Sequence, residues 1–517
     1  MQPDSGYAIA RHEPLADPTV PASRRDSLPR SPGASDLDLA RKPMTDLGNA
    51  ERFVARFGDR FLFVPTSGWF AWDGRRWTRE NADELVARAA HDTVRAIQDE
   101  TVALRASPDD AVAAERGKAG RIMLSDKLSA WGRASETESR LRAVPKIASA
   151  YLSVAAKDLD ADPWVLNCYN GTLRFVRDKG SLRVEFTEHD PVDRITKLSP
   201  VIYDPTAICP VYDRFLSEVQ PRVESRRFLH MWGGYSLTGD ISEQKLCFFY
   251  GKGKNGKSTL VDVWGAVAGD YGETVPIETF LDQGKGRNAG GATPDLALLP
   301  GIRFLRTSEP EKGAKLAEAL IKLVTGGEPI QARHLNRDYF KFRPAFKLTM
   351  SGNYRPAIDG TDEGIWRRLI LVPWPVTVAN ADLTLPQKLL LETSGILNRL
   401  IDGLRDYLRH GLVVPEEVAE ATSNYRMDSD PLGRFLAEAT VREAGARTQS
   451  SVLHRVFNAW ARAAGEREWK NKGLSMAMKE RGFLTFSSNV VWWLDLRLVK
   501  SELDFAEEPP HRPFVDD

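Results

Sequence analysis

The residues best suited to chemistry run from 251 to 259: Gly251, Lys252, Gly253, Lys254, Asn255, Gly256, Lys257, Ser258 and Thr259. An apolar run, Leu246 to Tyr250, precedes them, and Leu260, Val263, Trp264 and Val267 follow at helical spacing. This strand-loop-helix setting is what the pattern GxxxxGK[ST] needs to hold a nucleotide. Glycines let main-chain N–H groups wrap a phosphate, and the helix N-terminus adds positive potential. Lys257 then reaches the β- and γ-oxygens, and the Ser258 hydroxyl is the expected ligand for Mg²⁺. ATP and Mg²⁺ are the expected cofactors.

Cleaving a phosphoanhydride takes further groups, and three downstream segments offer them. Ile302 to Glu309 reads as a short strand ending in an acid, so Glu309 is a candidate for metal contact or water activation, with Glu311 two residues on. An exposed glutamate before Pro310 is the plainer alternative. Phe346 to Asn353 reads as a third strand whose terminal Asn353 could bond a γ-phosphate or the attacking water; before Tyr354-Arg355-Pro356 it could equally form a turn. Arg367 and Arg368 precede another strand from Leu369. An arginine inserted into a neighbouring subunit's site is worth about 10³ to 10⁵ in rate; a solvated pair is the bland reading.

These groups need a scaffold. Strand-like runs alternate with helical ones from 246 to 376, the pattern of an α/β nucleotide-binding domain. Helices are expected before it, at Val211 to Val219 and Ser225 to Gly233, and after it, from Leu385 to Leu408. The first 45 residues hold seven prolines amid Ser, Asp and Arg and read as a disordered tail. A small mixed domain starts near Ala50 with short strands about Asp73-Gly74, continues with helices over 82 to 155, and ends in a hairpin from Trp164 to Phe175. After 411, helices at 415–427, 431–440, 450–464 and 473–481, then a hairpin about Ser488-Asn489, suggest a winged-helix module.

The order of elements, GxGxNGKS at 251–258, a strand ending at Glu309, Thr325-Gly326-Gly327-Glu328-Pro329-Ile330 with Arg333, the strand to Asn353, then Trp366-Arg367-Arg368, resembles the superfamily 3 helicases. The likeness is to the phage- and plasmid-type primase-helicases related to the poxvirus nucleoside triphosphatase. It implies an α/β P-loop AAA+-like ATPase core (206–410), an N-terminal mixed α/β helicase-associated domain (46–205) and a C-terminal winged-helix-like α+β domain (411–517). It also implies Lys257 and Ser258 as nucleotide and Mg²⁺ contacts, Glu309 as the second-strand acid, Asn353 as sensor, and Arg367 or Arg368 as the trans-acting finger. Many members carry two adjacent acids where Ser308-Glu309 stands here, which leaves open whether Glu309 serves metal, water or both.

The same likeness implies a homo-hexameric ring that threads single-stranded DNA past a β-hairpin of each subunit. Pro329 to Arg333 and Tyr339 to Arg343 are strand-like about a polar tip that holds His334 and Arg337. From Lys322 to Lys347 there are six basic residues against two acidic, with Tyr339, Phe340 and Phe342 interleaved. That mixture suits phosphate tracking and base stacking, and Arg333, His334, Arg337 and Lys341 are the expected contacts.

Composition bounds the rest. With 517 residues, 71 Lys+Arg against 71 Asp+Glu and 42% hydrophobic residues, the chain reads as a multi-domain globular protein without a global field for nucleic acid or membrane. No apolar run of about twenty residues and no signal-like N-terminus occur, so a cytoplasmic protein without membrane contact is expected. Asp36-Leu37-Asp38 and Asp158-Leu159-Asp160 lack the strand setting of a polymerising site, so priming is expected on a separate primase or other replication protein. Lys470, Lys472, Lys479 and Arg481 surround the last helix, whose domain is left open between DNA and protein binding. The expected function is an ATP-dependent DNA helicase of phage, prophage or plasmid replication; the alternative is a nucleotide-dependent loader that does not unwind.

Overall fold

A computed structural model describes residues 35–113, 122–178, 181–282, 293–307, 309–333, 339–358 and 363–505. The chain divides into two compact units, Met1–Leu159 and Asp160–Asp517.

In the first unit, the amphipathic helix Asp46–Phe57 lays Phe53 and Phe57 against Phe61, Val86 and Val144, beneath an antiparallel sheet of Phe61–Val64, Gly68–Trp72 and Trp77–Thr78. Helices Ala82–Arg95, Ile97–Arg105, Leu124–Ala134 and Glu138–Ala148 complete it. Glu100 is fully buried and is held by Arg52 at 2.7 Å and Arg56 at 2.9 Å, so its charge is compensated where water cannot reach. The expected tail needs correction. Residues from Ser35 onward join this unit through a helix, Asp36–Ala40, which Ser35 and Asp38 cap reciprocally. Its Leu39 is 1% exposed. A five-residue helix is too short to show an apolar period, and the tail's other residues, 1–34, lie outside the described residues.

The second unit is built on a wholly parallel five-stranded sheet in the order Gly272–Val275, Phe304–Thr307, Lys347–Gly352, Leu246–Tyr250, Leu369–Pro373. Apart from the polar edge strand Gly272–Val275, its strands are largely buried on both faces, as apolar runs such as Leu246–Tyr250 and Leu369–Pro373 predict. Cys247 and Phe249 point into a core with Phe228, Trp232, Trp264 and Leu400. Leu246 and Phe248 point into another with Leu305, Ile321, Leu348 and Leu371. Helices Val223–Ser236 and Thr393–His410 approach closely at Gly234 and Gly403, where added Cβ atoms would collide with the facing helix's main chain.

The boundary expected at 205 does not match the compact units. The hairpin Val165–Cys168 with Gly171–Asp178 forms as expected and gains a third strand, Ser181–Thr187. This small sheet belongs to the second unit, because Leu166, Leu173 and Phe175 share the core of Phe249 and Trp264. Arg303 also donates to the carbonyls of Val165 (2.6 Å) and Leu237 (2.9 Å). The elements after 410 lie in this unit too: helix Glu416–Asp428 packs Tyr425 among the sheet's side chains. Residues 431–498 then run helix Pro431–Ala439, strand Thr440–Gln449, helices Ser450–Ala463 and Asn471–Glu480, and strands Thr485–Ser487 and Val491–Leu498, the three strands forming an antiparallel sheet. The first of these strands was not expected, since Thr440–Gln449 is mostly polar and exposed in its middle, with no apolar alternation and a register break between Arg442 and Arg447.

All three cysteines are buried and free, and burial pushes the Cys168 and Cys209 thiols up to about 12. Among the described residues no helix is long and apolar enough to cross a membrane.

Candidate functional site

The loop after Leu246–Tyr250 takes its shape from left-handed backbone at Gly253, Lys254 and Gly256. Gly256 has φ +81°, and a Cβ there would stand 2.8 Å from the Phe215 ring, so the position excludes other residues both by conformation and by space. At Gly251 a Cβ would meet the Trp374 carbonyl at 2.5 Å. Lys254 adopts φ +46° without being glycine, a strain of about 1 kcal/mol or more, and its carbonyl accepts the Val378 N–H at 2.7 Å. Helix Lys257–Ala268 then starts without a side-chain cap, which leaves its first N–H groups open to an anion.

Lys257 is 5% exposed, and its ammonium donates to the Gly251 carbonyl (2.7 Å), Asn255 Oδ1 (3.0 Å) and Asn353 Oδ1 (3.2 Å). Its three donors are thus saturated. Burial lowers its pKa below the ordinary lysine value, while the Glu309 carboxylate acts in the opposite sense. Asn255 is 3% exposed, and its Nδ2 is a buried donor without a partner among the described residues. Lys252, Lys254 and Ser258 are exposed and Thr259 is half-buried, so the Ser258 hydroxyl is open to a ligand.

Glu309 lies just past strand Phe304–Thr307; Ser308 falls outside the described residues. Its exposed carboxylate accepts the main-chain N–H of Asn353 at 2.6 Å. Sheet order explains this meeting. Strand Lys347–Gly352 lies between the acid-bearing strand and the loop-bearing strand, with Met350 beside Thr307 and Gly352 beside Tyr250, so Lys257, Asn353 and Glu309 emerge at one sheet end. Glu311 is exposed nearby in sequence.

The arginine pair is not brought to this cluster. Leu246 N–H bonds the Arg368 carbonyl at 2.8 Å, which places the pair at the opposite end of the loop strand, about 13 Å away along four residues. The two arginines also differ from each other. Arg368 is 7% exposed and donates to Thr325 Oγ1 (3.0 Å) and the Gly364 carbonyl (2.6 Å), a packing role that removes it as a finger reaching another subunit. The Arg367 side chain is exposed.

The expected hairpin forms from Ile330–Arg333 and Tyr339–Phe342 in antiparallel register. Arg333 pairs with Tyr339, its guanidinium 4.9 Å from the ring centre, and Lys341 stands exposed opposite Gln331. His334 and Arg337 lie outside the described residues. One expected member of the basic cluster drops out: Lys347 is 1% exposed and donates to the carbonyls of Thr238, Asp240 and Ala345, and burial holds its pKa well below the ordinary lysine value. Counting charges along the segment could not separate this lysine from Lys341, because its burial comes from sheet pairing. Sequence reasoning listed Asn255 as a loop residue but missed its bond to Lys257, and missed the anchoring of the loop by Trp374 and Val378.

Comparison with known proteins bears on what this arrangement serves. Residues 50–221 match the family described as D5 N terminal like. The chain is 29% identical over 258 residues to a putative helicase, L207/L206, of Acanthamoeba polyphaga mimivirus, covering 46% of this chain and 27% of that protein. It is 26% identical over 269 residues to the putative helicase 022R of Frog virus 3, covering 48% and 27%. It is 23% identical over 338 residues to the putative primase C962R of African swine fever virus (strain Badajoz 1971 Vero-adapted), covering 62% and 34%. The chain thus spans about a quarter to a third of the length of these relatives. Among solved structures, the apo C-terminal region of NrS-1 aligns at 11% identity and a TM-score of 0.35, covering 64% of this chain and 96% of that one. Residues 50–221 are thus similar to the D5 N terminal like family, and the chain is similar to parts of viral proteins named putative helicase or putative primase.

Proposed function

We propose that the chain is an ATP-dependent DNA helicase of the superfamily 3 type, working as a homo-hexameric ring on single-stranded DNA in the cytoplasm during phage, prophage or plasmid replication. One observation carries the reading: Lys257, Asn353 and Glu309 meet at one end of a parallel sheet, while Arg367 is exposed at the other. The strand order supports a P-loop AAA+ core, and the helix-strand-helix-helix-strand-strand order of 431–498 supports a winged-helix module.

ATP would lie over the 251–258 loop, its phosphates meeting Lys257 and the uncapped first turn of helix Lys257–Ala268. The residues fit Mg²⁺ as well: the exposed Ser258 hydroxyl and Glu309 carboxylate are hard oxygen donors of the kind it takes. When bound, Mg²⁺ neutralises charge on the β- and γ-phosphates. Because Lys257 has no spare donor, admitting a γ-phosphate must displace one of its acceptors, and the contact to Asn353 is the longest. The freed Asn353 amide then faces the phosphate, and its main-chain N–H keeps the Glu309 carboxylate oriented for an attacking water. Since Arg367 cannot reach its own chain's loop, its charge serves a neighbour's nucleotide, and the hairpin bearing Arg333 and Lys341 moves the strand.

The test measures ATP hydrolysis and strand displacement together. Lys257→Ala should lower hydrolysis by at least about 100-fold, and Lys341→Ala should lower the ratio of DNA-stimulated to unstimulated rate. DNA stimulation that survives Lys341→Ala defeats the hairpin assignment. Hydrolysis without displacement of a long duplex defeats the helicase reading in favour of a loader.

A further inference from the structure

The C-terminal module carries a charge pattern that the motor reading does not use. Arg434, Arg455, Arg462, Arg481, Arg497 and Lys500 each pair with a carboxylate. The side chains of Lys470, Lys472 and Lys479 make no ion pair among the described residues, although all three are exposed. They stand on or just before helix Asn471–Glu480. That helix buries Leu474 and Met478, so Lys472, Ser475, Met476 and Lys479, three or four residues apart, share its outer face. Its one carboxylate, Glu480, is the last residue.

Beside the helix, the hairpin Thr485–Ser487 with Val491–Leu498 walls a groove of about 400 Å³, lined among others by Ser450, Asn471, Ser475, Lys479, Thr485 and Trp493. None of the groove's lining residues is acidic. Hydroxyl and amide groups supply hydrogen bonds, and the lysines are the only charges on the walls and the adjoining helix face, apart from terminal Glu480. Arg442 and Arg447 elsewhere in the module lie over the rings of Phe483 and Phe486 and, like Arg467, have no carboxylate partner among the described residues; the three lysines stand clear of any carboxylate partner on or just before a helix with a two-stranded ribbon alongside. A helix and a two-stranded ribbon are the two shapes that the major groove of duplex DNA, about 12 Å wide, admits, and surplus lysines complement its phosphates.

We infer that this face binds duplex DNA, with helix Asn471–Glu480 in the major groove and the hairpin against the flanking backbone. The inference does not rest on the nucleotide site. The experiment is fluorescence anisotropy of a labelled blunt duplex with the full chain, without nucleotide, over a salt series. The Lys472→Ala/Lys479→Ala variant should bind about tenfold more weakly, and the slope of log affinity against log salt should fall by about 2. Ser475→Glu, which puts a carboxylate into the groove, should weaken binding in parallel, while Lys257→Ala should bind as the unaltered chain does. An unaltered chain that leaves the duplex free, or lysine and Ser475 variants that bind it equally well, overturns the inference, including in favour of a protein partner for this face.

Discussion

Lys257 is a buried ammonium whose acceptors are a carbonyl and two neutral amide oxygens, with a carboxylate further off. Burial favours its neutral form and Glu309 opposes this, so the charge we propose to meet a phosphate is lost at lower pH than for an ordinary lysine. In Glu309→Gln the opposing charge is gone. The alkaline limb of nucleotide binding, measured by titration calorimetry across pH, should therefore move to lower pH in that variant; a limb that stays in place would mean Glu309 does not act on Lys257. The linked stability has a definite sign. The folded pKa lies below the unfolded one, so between them the unfolded chain holds more protons, and this group makes stability rise with pH through that window.

The helices that flank the sheet are held by close approach. A Cβ on Gly403 would collide with the His230 carbonyl across the pair Val223–Ser236 and Thr393–His410. Gly403→Ala should cost about 1 to 3 kcal/mol by overpacking, read from denaturant midpoints. Helix Val223–Ser236 leaves His230 half-buried but encloses its Nε2, which has no partner among the described residues, and loss of water pushes its pKa down to about 4. Below pH 6.5 the unfolded chain protonates this histidine and the folded one does not, so stability should fall as pH drops from 6.5 towards 4, by up to roughly 3 kcal/mol. His230→Gln should flatten that fall. Elements of this kind were legible wherever a local pattern names them: the loop through its glycines and lysine, the C-terminal helices through apolar spacing, the hairpin at 330–342 through alternation about a polar tip. Strand Thr440–Gln449 was not, because a polar edge strand has no apolar face to betray it. Nor were the fates of Lys347 and Arg368, whose burial is decided by carbonyl and hydroxyl groups distant in sequence, such as Thr238 and Thr325.

At the scale of the molecule, the separation of Arg367 from the Lys257 cluster by the length of a strand makes each nucleotide site, in the ring we propose, the joint property of two chains. Mixing Lys257→Ala and Arg367→Ala proteins, each inactive alone, should restore roughly a quarter of normal ATP hydrolysis, since a seam between one intact lysine and one intact arginine recurs at that frequency in random rings. No recovery on mixing would place both residues in a single chain's machinery. The three thiols have a different use. Buried and held in their protonated form, Cys168, Cys209 and Cys247 are poor targets for maleimides. A single cysteine introduced at the exposed Gln331 would therefore carry a dye without removal of any native sulfur, and the hairpin movement we propose could be followed by fluorescence alone.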